Sequence, residues 1–157
     1  TGILLWASCA LGWTLLALTL IDWRHRLLPD VLTLPLAAAG LAVGLAVDPA
    51  ANFDRVIGVV AGYGSFAVIG WGYWRLRGRE GLGLGDAKLF AAAGAWLTWA
   101  GLPTVLLIAA PAALVVTLAR RLVGHGMLAL TQEVPFGPYL ALGFWLAWLY
   151  GSGHAVP

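Results

Sequence analysis

The sequence contains little charge: only 10% of its 157 residues are Asp, Glu, Lys or Arg, and the formal net charge is +2. Such a small positive charge gives no basis for nucleic-acid binding. Hydrophobic residues make up 61% of the chain, and the mean hydropathy of +0.88 lies far above the values of soluble globular domains. The composition therefore predicts a membrane protein whose outer surface contacts lipid.

Several residue types used in catalysis and metal binding are also scarce. Cys9 is the only cysteine, so the chain cannot build a disulfide framework or a CxxC metal site. The HExxH pattern of zinc proteases is absent, and the three histidines lack metal-ligand spacing. No histidine lies inside an apolar segment, where it could activate a serine nucleophile. We therefore expect no metal or other cofactor and no serine-protease chemistry.

The apolar residues occur in long segments that approach the roughly 20 residues needed for a helix to cross a bilayer. The first segment lacks a basic n-region and is followed by arginines, so we interpret it as a span and not as a signal peptide. The sequence thus predicts an all-α polytopic membrane protein, a bundle of about six transmembrane helices in a single domain over residues 1–157. The predicted spans are 2–21, 31–47, 56–74, 87–102, 103–119 and 138–150.

The positions of the basic residues predict the topology. All but one of the nine Lys and Arg follow the first, third or fifth span, and the exception is Arg55. Because basic residues favour cytoplasmic loops, we expect these three loops in the cytoplasm and both termini on the periplasmic side.

Two glycine pairs lie four residues apart within predicted spans, Gly40 with Gly44 and Gly58 with Gly62. Such pairs allow two helices to approach closely. They fit either internal packing or a dimer face, so the sequence leaves the oligomeric state open.

Two acids lie at the ends of predicted spans, where a carboxylate is costly. Asp22 ends the first span and Asp86 begins the fourth. The chain crosses the membrane twice between them, so both return to the same face and can meet. Two carboxylates that are close together and poorly solvated cannot both ionise easily; they share one proton, and one serves as base and the other as acid. This pair predicts the water activation of an aspartic protease, at the cytoplasmic membrane boundary.

The residues around Asp86 permit two interpretations. Gly83 and Gly85 could provide an approach without a Cβ that would block a substrate backbone. Alternatively, Gly85 simply turns the chain and Asp86 is the N-cap of the fourth span. Asp22, taken alone, also fits a juxtamembrane charge that marks a helix end.

Three further ionisable residues lie on the predicted catalytic face. Asp30 follows Pro29 and fits the N-cap of the second span, whereas Lys88 lies one turn inside the fourth span and can extend to the interface. Glu80 fits a solvated loop acid. Asp30 and Glu80 are also candidate attractors for a basic substrate segment.

Three segments together carry a resemblance to a known family: "IDWRHRLLPDVLTLPL", "EGLGLGDAKLFAAAGAW" and "VPFGPYLALG". In order and spacing they resemble the signature segments of type IV prepilin peptidases, the GxGD aspartic proteases, across almost the whole chain. The resemblance implies that Asp22 and Asp86 are the catalytic pair and that Gly83 and Gly85 have roles in the GxGD loop. It also implies that a further segment packs near the site, namely Pro135, Phe136, Gly137 and Pro138.

The resemblance further implies a substrate and a location. The substrate would be a type IV prepilin or a type II secretion pseudopilin, cut after the final glycine of its leader in the bacterial inner membrane. Its apolar helix would lie among the spans and lipid while its basic leader stays in the cytoplasm. Bifunctional members carry an N-terminal zinc-binding domain that methylates the new pilin N-terminus; this sequence shows no such domain, so we expect no methyltransferase activity from it.

The chain departs from many relatives in this family at two positions, and two other functions are also compatible with a membrane protein of this kind. Leu84 and Ala87 stand where many relatives have an aromatic residue, which would alter substrate contacts without removing the acid pair. A small transporter or channel that uses interfacial acids is one alternative, but it would favour ionisable groups in the middle of spans or inverted repeats. A noncatalytic membrane scaffold is the other.

Overall fold

The computed structural model describes residues 2–78, 83–122 and 135–151, and all regular structure in these ranges is helical. The elements are α1 (Gly2–His25), α2 (Asp30–Val47), a 3-10 turn (Pro49–Ala51), α3 (Asn52–Arg77), α4 (Leu84–Leu122) and α5 (Gly137–Gly151). Within these ranges the prediction of an all-α fold is confirmed.

The surface of the helices is apolar. Four helical segments are long and apolar enough to cross a membrane: α1, α2, Pro49–Arg77 and Leu84–Arg120. Large side chains such as Trp6, Trp13 and Val31 point outwards with 75%, 75% and 81% of their surface exposed. An apolar surface of this extent is unfavourable in water, whereas helices with internally satisfied backbones are stable in lipid. The chain is therefore a polytopic membrane protein.

The long helix α4 consists of two segments that join at Thr98, whose φ of 64° and ψ of 175° are not helical. Asp86 at the start of α4 interacts electrostatically with Asp22. Near the end of α4, the Arg120 guanidinium lies 5.3 Å from the centroid of the Trp23 ring. A straight helix would separate positions 86 and 120 by roughly 50 Å, so α4 folds back on itself at Thr98.

The predicted count of about six spans is not exact, because the described ranges contain five α-helices, of which α4 has two segments. The segments expected at 87–102 and 103–119 belong to one helix that is interrupted at Thr98. The sequence suggested a boundary at Gly101 and Pro103 because glycine and proline commonly separate helices. In the structure a single residue with a positive φ reverses the chain, and no separate loop is needed.

A buried arginine lies beside this break. Arg55, near the start of α3, is 8% exposed, and its Nη1 donates hydrogen bonds to the carbonyl oxygens of Ala95 at 3.3 Å and Trp96 at 2.5 Å. The last carbonyls of a helix have no partner within that helix. Arg55 therefore caps the first segment of α4 where Thr98 interrupts it. The sequence suggested a loop residue at this position, and the burial of Arg55 is a finding of the structure.

Both glycine pairs face neighbouring helices of the same chain. A Cβ atom on Gly58 would lie 2.6 Å from the Gly94 carbonyl oxygen, and one on Gly62 would lie 2.7 Å from the Phe90 carbonyl oxygen. The pair in α2 is equally crowded: a Cβ on Gly40 would meet the Trp96 side chain, and one on Gly44 would meet Arg55. Of the two interpretations of these pairs, the contacts favour internal packing, which holds α3 directly against α4.

We predict that Arg55→Met lowers the free energy of unfolding in detergent by about 2 kcal/mol or more. Methionine keeps the length of the side chain but cannot donate, so the two carbonyls at the α4 break lose a charged donor in an apolar setting. Thermal unfolding followed by circular dichroism measures the change. Arg77→Met, at the exposed end of α3, is the control; equal melting temperatures for the two variants would contradict a capping role for Arg55.

Candidate active site

Asp22 lies in the last turn and a half of α1, between an apolar helix and the basic residues that follow. It is only 6% exposed, and its Oδ2 atom is buried without a hydrogen-bond partner among the residues that the structure describes. An unsatisfied buried carboxyl oxygen is costly in a protein interior. The location of Asp22 is therefore not that of an ordinary juxtamembrane charge, which would face water.

Asp86 lies in the first turn of α4, and its backbone N–H donates to the Gly83 carbonyl oxygen at 3.1 Å. α4 begins at Leu84, so the interpretation of Asp86 as the N-cap is wrong by position. The Asp86 carboxyl group is near enough to Asp22 for a direct Coulombic interaction. The structure thus brings together two acids that are 64 residues apart in the sequence, at one end of the helix bundle.

The two glycines before Asp86 have different surroundings. A Cβ on Gly85 would lie 2.9 Å from the Leu28 Cβ, so close packing against the α1–α2 connection explains the absence of a side chain there. A Cβ on Gly83 would contact only Asp86 Oδ2 at 3.9 Å and Gly85 N at 4.0 Å. Gly83 is exposed, and no contact with the described residues requires it to be glycine, so these residues leave the space beside Asp86 open on this side.

An ion pair joins the starts of α2 and α4. The Lys88 Nζ lies 2.5 Å from Asp30 Oδ1, which places an opposite charge two residues from Asp86. The N-cap of α2 is Pro29, and it makes no side-chain capping hydrogen bond, so the interpretation of Asp30 as the N-cap is wrong. Asp30 is instead the first residue of the helix, and the partner of its carboxylate is Lys88.

The segment Pro135, Phe136, Gly137 and Pro138 leads into α5 and reaches the acid pair. Gly137 is the first residue of α5, and its backbone N–H approaches the Asp22 carboxyl group. The Phe136 ring lies 6.3 Å from that of Phe66, which lies 4.7 Å from that of Phe90. This row of aromatic rings connects the start of α5 through α3 to α4. The expectation that the segment packs near the site agrees with these contacts.

Two residues near Asp22 or Asp86 were not found by sequence reasoning. Arg26 adopts a left-handed conformation with a φ of 53° just after α1, and its charge acts on the Asp22 carboxyl group. Phe90 lies one helical turn after Asp86, a spacing that could have identified it as a neighbour on the same helix face. The positive φ of Arg26 leaves no signal in the sequence, because arginine does not favour that conformation.

Glu80 lies outside the described residues, and so do Gly81 and Glu133. Within the described ranges no group of three or more His, Cys, Asp and Glu residues could hold a metal ion. What the site offers chemically is a pair of carboxyl groups, one buried and one half-buried, which can exchange a proton with a water molecule between them.

Fold and site together define a polytopic membrane protein with a carboxyl pair at one end of its helices. The model of the type IV leader peptidase family matches residues 9–118. Over 93% of its length the chain is 43% identical to a prepilin leader peptidase/N-methyltransferase of Aeromonas hydrophila. Over 83% of its length it is 46% identical to leader peptidase HopD of Escherichia coli, of which the match covers 84%. The chain belongs to the type IV leader peptidase family.

The matches cover different fractions of the relatives' own sequences. The chain spans about half the length of the Aeromonas relative, 50% of which is matched. No solved structure matches the chain. With its apolar helices and its bacterial relatives, the protein is a multi-pass protein of the bacterial inner membrane.

We predict that Lys88→Asp lowers the melting temperature in detergent, because two like charges would then face each other between α2 and α4. The swap Asp30→Lys/Lys88→Asp should restore most of this loss, since it re-forms the pair with its charges exchanged. The expected difference is about 1 kcal/mol or less for such an exposed pair. A double variant no more stable than Lys88→Asp would show that the ion pair does not join the two helices.

Proposed function

We propose that the protein is a membrane-embedded aspartic endopeptidase that removes the leader peptide from type IV prepilins or type II secretion pseudopilins. The observation that carries this proposal is that Asp22 and Asp86, two acids from different helices, lie near enough to interact electrostatically at one end of the bundle, where Asp22 is buried and Asp86 half-buried. Membership of the type IV leader peptidase family and the printed names of the relatives support the substrate class.

The chemistry of the pair follows from its two protonation states. The charged carboxylate takes a proton from a water molecule as the water oxygen attacks the scissile carbonyl carbon, while the protonated carboxyl gives its proton to the carbonyl oxygen. As the C–N bond then breaks, the carboxyl that took the water proton gives it to the leaving amine, and the other carboxylate takes a proton from a hydroxyl of the tetrahedral intermediate, which restores the pair. Neither a metal ion nor a covalent intermediate is required.

The proposed orientation places the acid pair at the cytoplasmic face and both termini at the periplasmic face. The distribution of basic residues supports it: Arg24, Arg75 and Arg120 lie near the end of the bundle that holds Asp22 and Asp86. The substrate's apolar helix would lie against the lipid-facing helices while its basic leader remains in the cytoplasm.

Two features support an approach of the substrate on the Gly83 side. The space beside Gly83 is open, so an extended substrate backbone could lie against Asp86 there. Asp30 is a weaker candidate attractor for a basic leader, because Lys88 partly neutralises it. Glu80 remains the other candidate. No observation favours the transporter or channel alternative, since the acid pair lies at helix ends.

We expect Asp22→Asn and Asp86→Asn each to reduce cleavage of a prepilin by about 10³-fold or more, because neither variant can both accept and donate the required protons. The assay incubates purified protein in detergent with a prepilin and maps the cut by mass spectrometry. Asp54→Asn is the matched control, since Asp54 accepts a hydrogen bond from Trp99 Nε1 and asparagine can still accept it. A folded Asp22 or Asp86 variant with normal cleavage would rule out the acid pair.

Gly83→Val should leave the fold stable but reduce kcat/KM by about tenfold or more, mainly through a higher KM. Among the described residues no atom would lie closer than 3.9 Å to the new Cβ, whereas a substrate backbone beside Asp86 would be crowded by the new side chain. Gly64→Val, on open surface in α3, serves as the control for adding a valine. Unchanged kinetics in a folded Gly83→Val variant would place the substrate elsewhere.

A further inference from the structure

One backbone N–H group in the first turn of α5 has no hydrogen-bond acceptor within the helix. Helix N-termini leave their first N–H groups without intrahelical partners. In α5, Pro138 has no N–H, and the N–H groups of Tyr139 and Leu140 donate to the Phe136 carbonyl oxygen at 3.1 Å each. The Gly137 N–H remains, and it approaches the Asp22 carboxyl group.

The contact between Gly137 and Asp22 leaves no room for a side chain. A Cβ on Gly137 would lie 2.5 Å from Asp22 Oδ2 and 2.9 Å from its Cγ. Both are shorter than a normal carbon contact, and Asp22 is held at the end of α1 in a buried position. Glycine is therefore required for the carboxyl group to lie against the positive end of α5.

A second observation concerns the atom itself. Asp22 Oδ2 lies against Gly137, is buried, and makes no hydrogen bond with any described residue. Only 6% of the surface of Asp22 is exposed. Such an oxygen is available to a water molecule or to the partner acid, which is the requirement for a catalytic base.

The charged and titratable groups that act on Asp22 are few among the described residues. Arg26 contributes a positive charge from the end of α1, and Asp86 contributes the partner carboxyl from α4. The Gly137 N–H contributes the positive end of the α5 dipole. Asp86 is acted on by the charge of Asp22, and the nearest cation in its own helix, Lys88, is paired with Asp30. The surroundings of the two acids are therefore unequal.

We propose that Gly137 is a positioning residue that holds Asp22 against the N-terminus of α5 as the charged, proton-accepting member of the pair. Asp86 then retains the shared proton. In the first step Asp22 takes a proton from water as the C–O bond forms, and Asp86 gives its proton to the carbonyl oxygen. This inference rests on the proposed endopeptidase function and assigns its two acid roles.

The test compares pH profiles of prepilin cleavage for the wild type, Gly137→Ala and Gly151→Ala. In Gly137→Ala the added methyl group separates Asp22 from the α5 N–H, so we expect kcat to fall by about ten- to a hundredfold with little change in KM. The acid limb of the profile should move to higher pH by about half a unit to one unit. Gly151→Ala, on open surface at the other end of α5, should match the wild type. An unshifted acid limb in folded Gly137→Ala overturns the inference.

A second measurement covers the case in which Gly137→Ala does not fold. Infrared difference spectra of protein with isotope-labelled aspartate, with the Asp22→Asn/Asp86→Asn protein as background, report the carboxyl groups of the pair alone. We expect Asp86→Asn to show a carboxylate and no carboxylic-acid band at neutral pH, because Asp22 remains charged. A carboxylic-acid band there overturns the role of Asp22. Failure of the wild type to cleave any prepilin would instead reject the endopeptidase function, which separates the two outcomes.

Discussion

The placement of a buried carboxyl group, Asp22, beside the half-buried carboxyl group of Asp86 is the constraint on which the rest of this structure depends. Charged groups are expensive in an apolar interior, and two like charges side by side are more so. The bundle must therefore hold Asp22 and Asp86 by packing and not by their mutual attraction. It does so with backbone contacts: Gly85 against Leu28, and Gly137 against Asp22 itself. Each glycine lets a helix end come closer than any side chain would permit.

The reversal of α4 imposes a second constraint on the structure. The helical segment that carries Asp86 must end inside the bundle. A helix that stops within an apolar region exposes carbonyl groups that lipid cannot satisfy. Arg55 supplies donors to two of these carbonyls, and the close approach of Gly58 to Gly94 removes space that would otherwise remain beside the break. The buried cation Arg55 thus stabilises the end of the bundle opposite the acids. Its hydrogen bonds help to fix the position of the first segment of α4.

Much of this arrangement could be predicted from the sequence. The features that could not be predicted share one physical cause. Hydropathy predicted the helices, and counting the crossings between Asp22 and Asp86 predicted that the two acids meet, because parity depends only on chain order. The burial of Arg55, the reversal at Thr98 and the ion pair of Lys88 with Asp30 were not predicted. Each depends on which residues of different helices lie side by side, and periodicity within one helix carries no such information.

The glycines of the site differ in how closely the described residues surround them. The sequence offers Gly83, Gly85 and Gly137 as equivalent small residues near an acid. The structure separates them, because added Cβ atoms at Gly85 and Gly137 would meet the protein at 2.9 Å and 2.5 Å, whereas at Gly83 the nearest atom lies 3.9 Å away. Among the described residues no contact requires glycine at position 83, and this open space is where we propose that a substrate backbone lies beside Asp86.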